Sequence, residues 1–171
     1  QVHGFNSTLI GGGEPEMCVR LRREGWKILR VDADMSIHDA DIQRFRQWWR
    51  RSRRCGHAFA EGAWLHGMSP QRHWLRDSIS NWIWGLFFPL LVILLAWPTH
   101  GMSLLALLLY PLIFLRILVR SLTQKQLSFR DSVVYAFFCL LIKFPMVLGQ
   151  LQFAMNLLRG RKTKLVEYKS T

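Results

Sequence analysis

Apolar positions change their habit along this chain at about residue 77. Up to Arg76 they are scattered among charged side chains, whereas from Ile79 to Leu158 they merge into long runs of Leu, Phe, Ile and Val. The first region reads as water-facing and the second as a membrane region. Within the first, Met17, Val19 and Leu21 alternate with Arg20, Arg22 and Arg23, predicting a short amphipathic helix that Gly25 stops. Pro15 suits its first helical position, and Glu14 and Glu16 sit at the positive end of its dipole. Trp26 to Val31 alternates bulky apolar with basic residues, which predicts a short strand. Asp32-Ala33-Asp34 leads on to His38-Asp39. A second helix is expected from about Asp39, because Ile42, Phe45, Trp48, Trp49 and Ser52 recur at spacings of three and four.

The membrane region opens with a charge-free stretch from Trp82 to Trp97, flanked by tryptophans as expected at a membrane interface. Extended back to Ile79, it approaches the ~20 residues needed to cross a bilayer. Pro98-Thr99-His100-Gly101 is a tight turn, and a second span covers about residues 102–120. Pro89 and Pro111 can kink these helices without forbidding them. The pair forms a transmembrane hairpin. Arg72 and Arg76 before it, and Arg116, Arg120, Lys125 and Arg130 at its end, place both flanks in the cytoplasm. The third apolar segment, 133–158, is interrupted by Lys143, Pro145, Gly149, Gln150, Gln152 and Asn156. A full crossing would carry the basic tail Arg159–Lys164 outside. A broken helix lying in the interface, or dipping into it, keeps the tail against anionic headgroups on the cytoplasmic side and is the reading favoured over a third crossing.

Composition sharpens this division. The 171 residues are 50% hydrophobic yet carry a formal net charge of +12, a pairing that the two regions explain together. The organisation expected is residues 1–76 as part of a cytoplasmic domain ending in a basic interfacial helix, 77–158 as the membrane region, and 159–171 as a basic cytoplasmic tail. Cys18, Cys55 and Cys139 lack metal-ligand spacing and read as reduced thiols. The polar N-terminus is not a cleavable signal peptide. The opening Gln-Val-His-Gly-Phe-Asn lacks an initiator Met and begins as though within a domain, so the chain reads as a fragment.

Two motifs carry candidate chemistry. The first is Gly11-Gly12-Gly13-Glu14-Pro15-Glu16, where a glycine floor and a carboxylate suit a general base facing a bound substrate. An acidic first turn that only stabilises a helix gives the same pattern. These glycines lack a following Lys-Ser/Thr and are not a phosphate-binding P-loop. The second is the stretch from Gln43 to Arg54, with six arginines among Trp48, Trp49 and Phe45. Arginine's planar fork suits phosphate oxygens, and tryptophan offers a flat surface for a sugar or lipid. A basic amphipathic helix resting on a membrane is the competing reading.

In this order the motifs resemble the C-terminal part of a membrane-anchored family-2 glycosyltransferase of the GT-A fold. The resemblance covers nearly the whole chain and implies the end of an α/β catalytic domain, mostly α as the chain stands. Glu14-Pro15-Glu16-Met17-Cys18-Val19-Arg20-Leu21 matches the acidic helix of that family, with Gly13 replacing a further acid. The resemblance implies that Glu14 is the catalytic acid residue, deprotonating the acceptor hydroxyl for inverting transfer, and that Glu16 orients the acceptor or is structural. Gln47-Trp48-Trp49-Arg50-Arg51 is similar to the family's Gln-x-x-Arg-Trp motif, with Arg51 in place of the final Trp. It implies donor-diphosphate or acceptor binding by Gln47, Trp48, Arg50 and Arg51, with His38 a further candidate near the diphosphate. Asp32-Ala33-Asp34 follows the acid instead of preceding it, so it is a structural loop and not the family's metal-binding Asp-x-Asp.

The expectations that follow are a nucleotide sugar as donor and a saccharide or lipid-linked acceptor. Mg²⁺ or Mn²⁺ would be held mainly by residues N-terminal to this chain, with no metal ligand within it. Membrane lipids are expected partners and nucleic acid is not. The location expected is the inner (plasma) membrane, multi-pass, with the catalytic side cytoplasmic, in cell-envelope or exopolysaccharide synthesis. The alternative from another class is a non-enzymatic module whose basic helices bind acidic lipid.

Overall fold

The computed structural model describes residues 2–29, 31 and 42–160. His38 and Asp32-Ala33-Asp34 lie outside the described residues, as does the tail from residue 161. The described chain is mostly α. Its helices are α1 (Gly13–Arg23), α2 (Phe45–His66), α3 (Leu75–Trp82), α4 (Phe88–Ala96), α5 (Leu109–Gln124), α6 (Phe129–Leu141) and α7 (Lys143–Leu158). They belong to two compact units, one of residues Gln1–Ser78 with Leu148–Thr171, the other of Ile79–Val147.

Three local expectations are corrected. Trp26 to Leu29 form no strand, and Trp26, Leu29 and Val31 are exposed. A period-two pattern becomes a strand by pairing with a neighbour, and among the described residues no strand is present to supply one. Pro15 is the third helical residue of α1, not the first, because Gly12 turns the chain at φ 74° and Gly13 begins the helix. It remains in the first turn, where an N–H has no intrahelical partner. The second helix starts at Phe45, later than Asp39. The Gln47 side-chain oxygen turns back to accept the N–H groups of Gln43 (3.0 Å) and Arg44 (2.9 Å), which fixes the start there.

In the first unit α2 is the central element, and it uses two faces. Arg54, Ala58 and His66 share one face of α2 toward Ile10, Gly11 and Glu16, and Gly62 on that face meets Trp74. Arg53 and His57 face the last residues of α7. Gly149 has no side chain where the Arg53 carbonyl and the His57 N–H come closest, Arg53 donates to Gln152 at 2.7 Å, and Phe153 meets the His57 ring edge-on at 5.2 Å.

The second unit is assembled differently. Three helical stretches are long and apolar enough to cross a membrane: Leu75–Ala96, Met102–Gln124 and Phe129–Leu158. The first continues four residues N-terminal of the apolar run, placing Asp77 in its first turn where the dipole favours it. The expected turn closes the hairpin, with Gly101 at φ 86° and its N–H on the Ala96 carbonyl. Ser103 donates to the Val92 carbonyl at 2.8 Å across that turn.

Both prolines are accommodated. Residues Ile83–Phe87 widen into a π-turn just before Pro89, with the Phe88 N–H reaching Ile83. In that register the Trp84 carbonyl faces position 89, where proline has no N–H to offer. The Tyr110 hydroxyl donates to it instead at 2.5 Å. Pro111 falls in the first turn of α5, behind a 3₁₀ segment at Met102–Leu108. The third stretch is broken at Ile142, one residue before Lys143. Lys143 donates to Ser80 (3.1 Å) and Asn81 (3.0 Å), partners that a charged side chain in such a helix requires.

Candidate active site

The two acids of α1, adjacent in the motif, occupy different worlds. Glu14 is exposed at the mouth of the helix, whereas Glu16 is buried, with 3% of its surface exposed. Arg20, one turn on, donates from Nε to both Glu16 oxygens (2.9 and 3.1 Å) and from Nη2 at 2.9 Å. The same guanidinium donates to the carbonyls of Val2 and, at 2.6 Å, Gly4, tying the N-terminal segment to α1. His66, at the far end of α2, places Nε2 at 3.0 Å from Glu16 Oε1, the oxygen nearer Arg20 Nε. Burial by itself would raise the Glu16 pKa; the hydrogen bonds and positive charge of Arg20 and His66 outweigh it and hold the carboxyl below its ordinary value.

Beside this clamp lies a cavity of about 310 Å³. Gly11, Gly12 and Pro15 form one side of it, and neither Gly13 nor Glu14 is among its lining residues. Cys55, Ala58 and Phe59 of α2 form the opposite side, and Arg51 and Arg54 stand on the same helix. Arg54 is anchored, its Nε donating to the Ile10 carbonyl at 2.8 Å. Trp74 closes the cavity. Its ring stacks on His73 (4.2 Å) and leans on Phe59 (4.6 Å), and it occupies the space that a Cβ on Gly12 or Gly62 would need. Those two glycines are therefore required by the approach of the indole.

Behind the cavity, burial governs the titratable groups. It pushes the His57 pKa down to about 4 and the Glu61 pKa up, the latter moderated by a hydrogen bond from the Ile10 backbone. The Nδ1 of His57 lies 3.7 Å from Glu61. His73 is lowered by burial and then by its neighbour His66, whose ring centre is 6.4 Å away, and the Cys55 thiol is raised by burial.

The site residues expected from sequence are brought together in part. Glu14 and Glu16 share α1, and Arg51 reaches the cavity of which Pro15 forms part. Arg50 is exposed on α2, and Gln47 and Trp48 lie at its first turn. There Trp48 packs with Phe45 (5.4 Å) and Trp49 (6.3 Å), and Gln47 caps the helix. Sequence reasoning did not single out Arg20, His66, Arg54 or Trp74 as site residues. Arg20 was within reach, because Glu16 and Arg20 have the i,i+4 spacing of a helical ion pair. His66 stands 50 residues from Glu16, with no local signal to join them. Among the described residues no three His, Cys, Asp or Glu side chains are grouped to hold a metal ion. Compared with protein-family models, with curated proteins and with solved structures, the chain matches none.

Proposed function

We propose that this chain supplies the general base and the membrane anchor of an inverting, nucleotide-sugar-dependent glycosyltransferase of the GT-A type. The observation that carries this reading is the division of labour between the two acids. Arg20 and His66 fix Glu16 inside the fold, and this fixes the helix mouth on which Glu14 stands in solvent, next in sequence to Pro15 of the cavity lining. Glu14 takes the proton of an acceptor hydroxyl as its oxygen bonds to the anomeric carbon. The bond from that carbon to the nucleotide diphosphate breaks, and the diphosphate leaves with the electron pair. Arg50, exposed on α2, offers charge to the oxygens of the leaving diphosphate. Glu16 holds the helix and takes no proton in this scheme.

The divalent metal of this chemistry would neutralise the donor diphosphate. Among the described residues no His, Cys, Asp or Glu group could hold one. The end of α7 packs on the arginine-rich α2, which supports a third segment that breaks and returns to the cytoplasmic interface. An inner-membrane enzyme of envelope or exopolysaccharide synthesis, with its catalytic side cytoplasmic, is consistent with that arrangement.

The test is sugar transfer by membranes carrying the complete protein, with a panel of nucleotide sugars and Mg²⁺ or Mn²⁺. A positioned base contributes about 10²–10⁴-fold in rate, and Glu14→Gln is expected to lose that much with one donor. A second reading is favoured by Phe45, 57% exposed beside Trp48 and the α2 arginines: a lipid-binding module without catalysis. Liposome binding with no turnover of any donor would establish it instead.

A further inference from the structure

We infer that the cavity between loop 11–12, α2 and Trp74 binds the phosphate end of a membrane lipid, the carrier of the acceptor saccharide. The cavity wall is apolar, made by Pro15, Ala58, Phe59 and Trp74, and it holds two guanidinium groups, Arg51 and Arg54, one helical turn apart on a single face of α2. A free saccharide in such a place would need carboxylate, amide or hydroxyl partners, and the lining provides none of these. An alkyl or isoprenoid chain joined to phosphate matches both parts, the chain against the aromatic wall and the phosphate on the planar forks of the arginines.

The position of the cavity in the chain argues for the bilayer as the source of that ligand. Trp74 lines the cavity, and the next residue, Leu75, begins the first helix long and apolar enough to cross a membrane. A tryptophan at that junction is where an amphipathic ring meets the headgroup level. A saccharide attached to the lipid phosphate would extend past Gly12 and Pro15 toward the helix mouth that carries Glu14. In naming the acceptor, the inference rests on the transferase reading; the binding site itself does not.

The complete protein in detergent micelles, dialysed to equilibrium against radiolabelled farnesyl monophosphate, tests this without any nucleotide sugar. Saturable binding is expected, with farnesol and inorganic phosphate each competing at least tenfold more weakly, and with Arg51→Gln weakening the affinity tenfold or more. The competition in the wild-type protein needs no variant and stands whether or not Arg51→Gln folds. No saturable binding, equal competition by inorganic phosphate, or equal competition by farnesol would each overturn the site. Binding by a protein that transfers no sugar would keep the site and remove the transferase, and transfer by a protein that does not bind would do the reverse.

Discussion

The first unit hides charge and the second hides small polar groups, and each does so for the solvent it faces. In the first, a buried carboxylate is held by an arginine and a histidine drawn from two helices, next to a cluster of Ile10, Val19 and Ala58. In the second, Asn81, Ser121, Ser132 and Ala136 are withdrawn from the surface beside Val92, Leu118, Met146 and Val147, with Ser132 and Ala136 at 0% exposure. Many of its large side chains point outward, with Leu94 65% and Leu112 60% exposed. In water, leaving a leucine uncovered forgoes roughly 1.5–3 kcal/mol each. In lipid it forgoes nothing, and helices then associate through small residues that let backbones approach. Ser132 and Ala136, four apart on α6, supply that kind of contact. The same chain thus obeys two packing rules, and the break between them falls where its hydropathy changes.

The rules predict different responses to substitution. The largest is expected in the first unit, where Glu16→Ala leaves the half-buried Arg20 and the buried His66 without their partner and costs about 3–5 kcal/mol. Denaturant unfolding of the complete protein checks this, and a loss below about 1 kcal/mol would show that the clamp does not hold α1.

Acid should also weaken the first unit selectively. The folded pKa of His57 is depressed to about 4, from an ordinary 6.5. Between those values the unfolded chain binds the proton that the folded one refuses, so stability rises with pH and is lost as pH falls, by up to about 3 kcal/mol. Glu16 acts lower down. Its lowered carboxyl adds stability above the ordinary carboxylate range, and this is lost as pH falls through its folded pKa. Unfolding free energy followed from pH 7 to 4 should decline in the wild type and stay flatter in His57→Phe, which keeps a ring to face Phe153.

The smallest effect belongs to the membrane unit. Tyr110→Phe removes the donor that satisfies the Trp84 carbonyl left over by Pro89, and a hydrogen bond of this kind in a membrane protein is worth about 0.6 kcal/mol. Reversible unfolding in mixed micelles should register that loss, and no change at all would mean that the carbonyl finds another donor.

The membrane region was legible because its signal is local. An uninterrupted apolar run, a Pro-Thr-His-Gly turn and tryptophans at the edges locate the hairpin without knowledge of any partner. The break in the third segment was legible from Lys143 and Pro145, although its position at Ile142 depends on how the helices meet. In the first unit, Glu14, Pro15, Glu16 and the stop at Gly25 read correctly as a helix. The separate fates of the two acids did not, because His66 reaches Glu16 from 50 residues away. The strand expected from Trp26 failed for the same reason: alternation is a property of the segment, and pairing is a property of its neighbours. Gln47 is the intermediate case, a residue singled out for ligand binding whose side-chain oxygen caps its own helix.

In the proposed reaction Glu14 acts and Glu16 holds. The most direct measurement compares sugar transfer and unfolding in the complete protein for the wild type and Glu14→Gln. Transfer reduced about 10²–10⁴-fold with an unchanged unfolding midpoint is the result predicted for an exposed base. A folded Glu14→Gln protein that transfers sugar at the wild-type rate would contradict it.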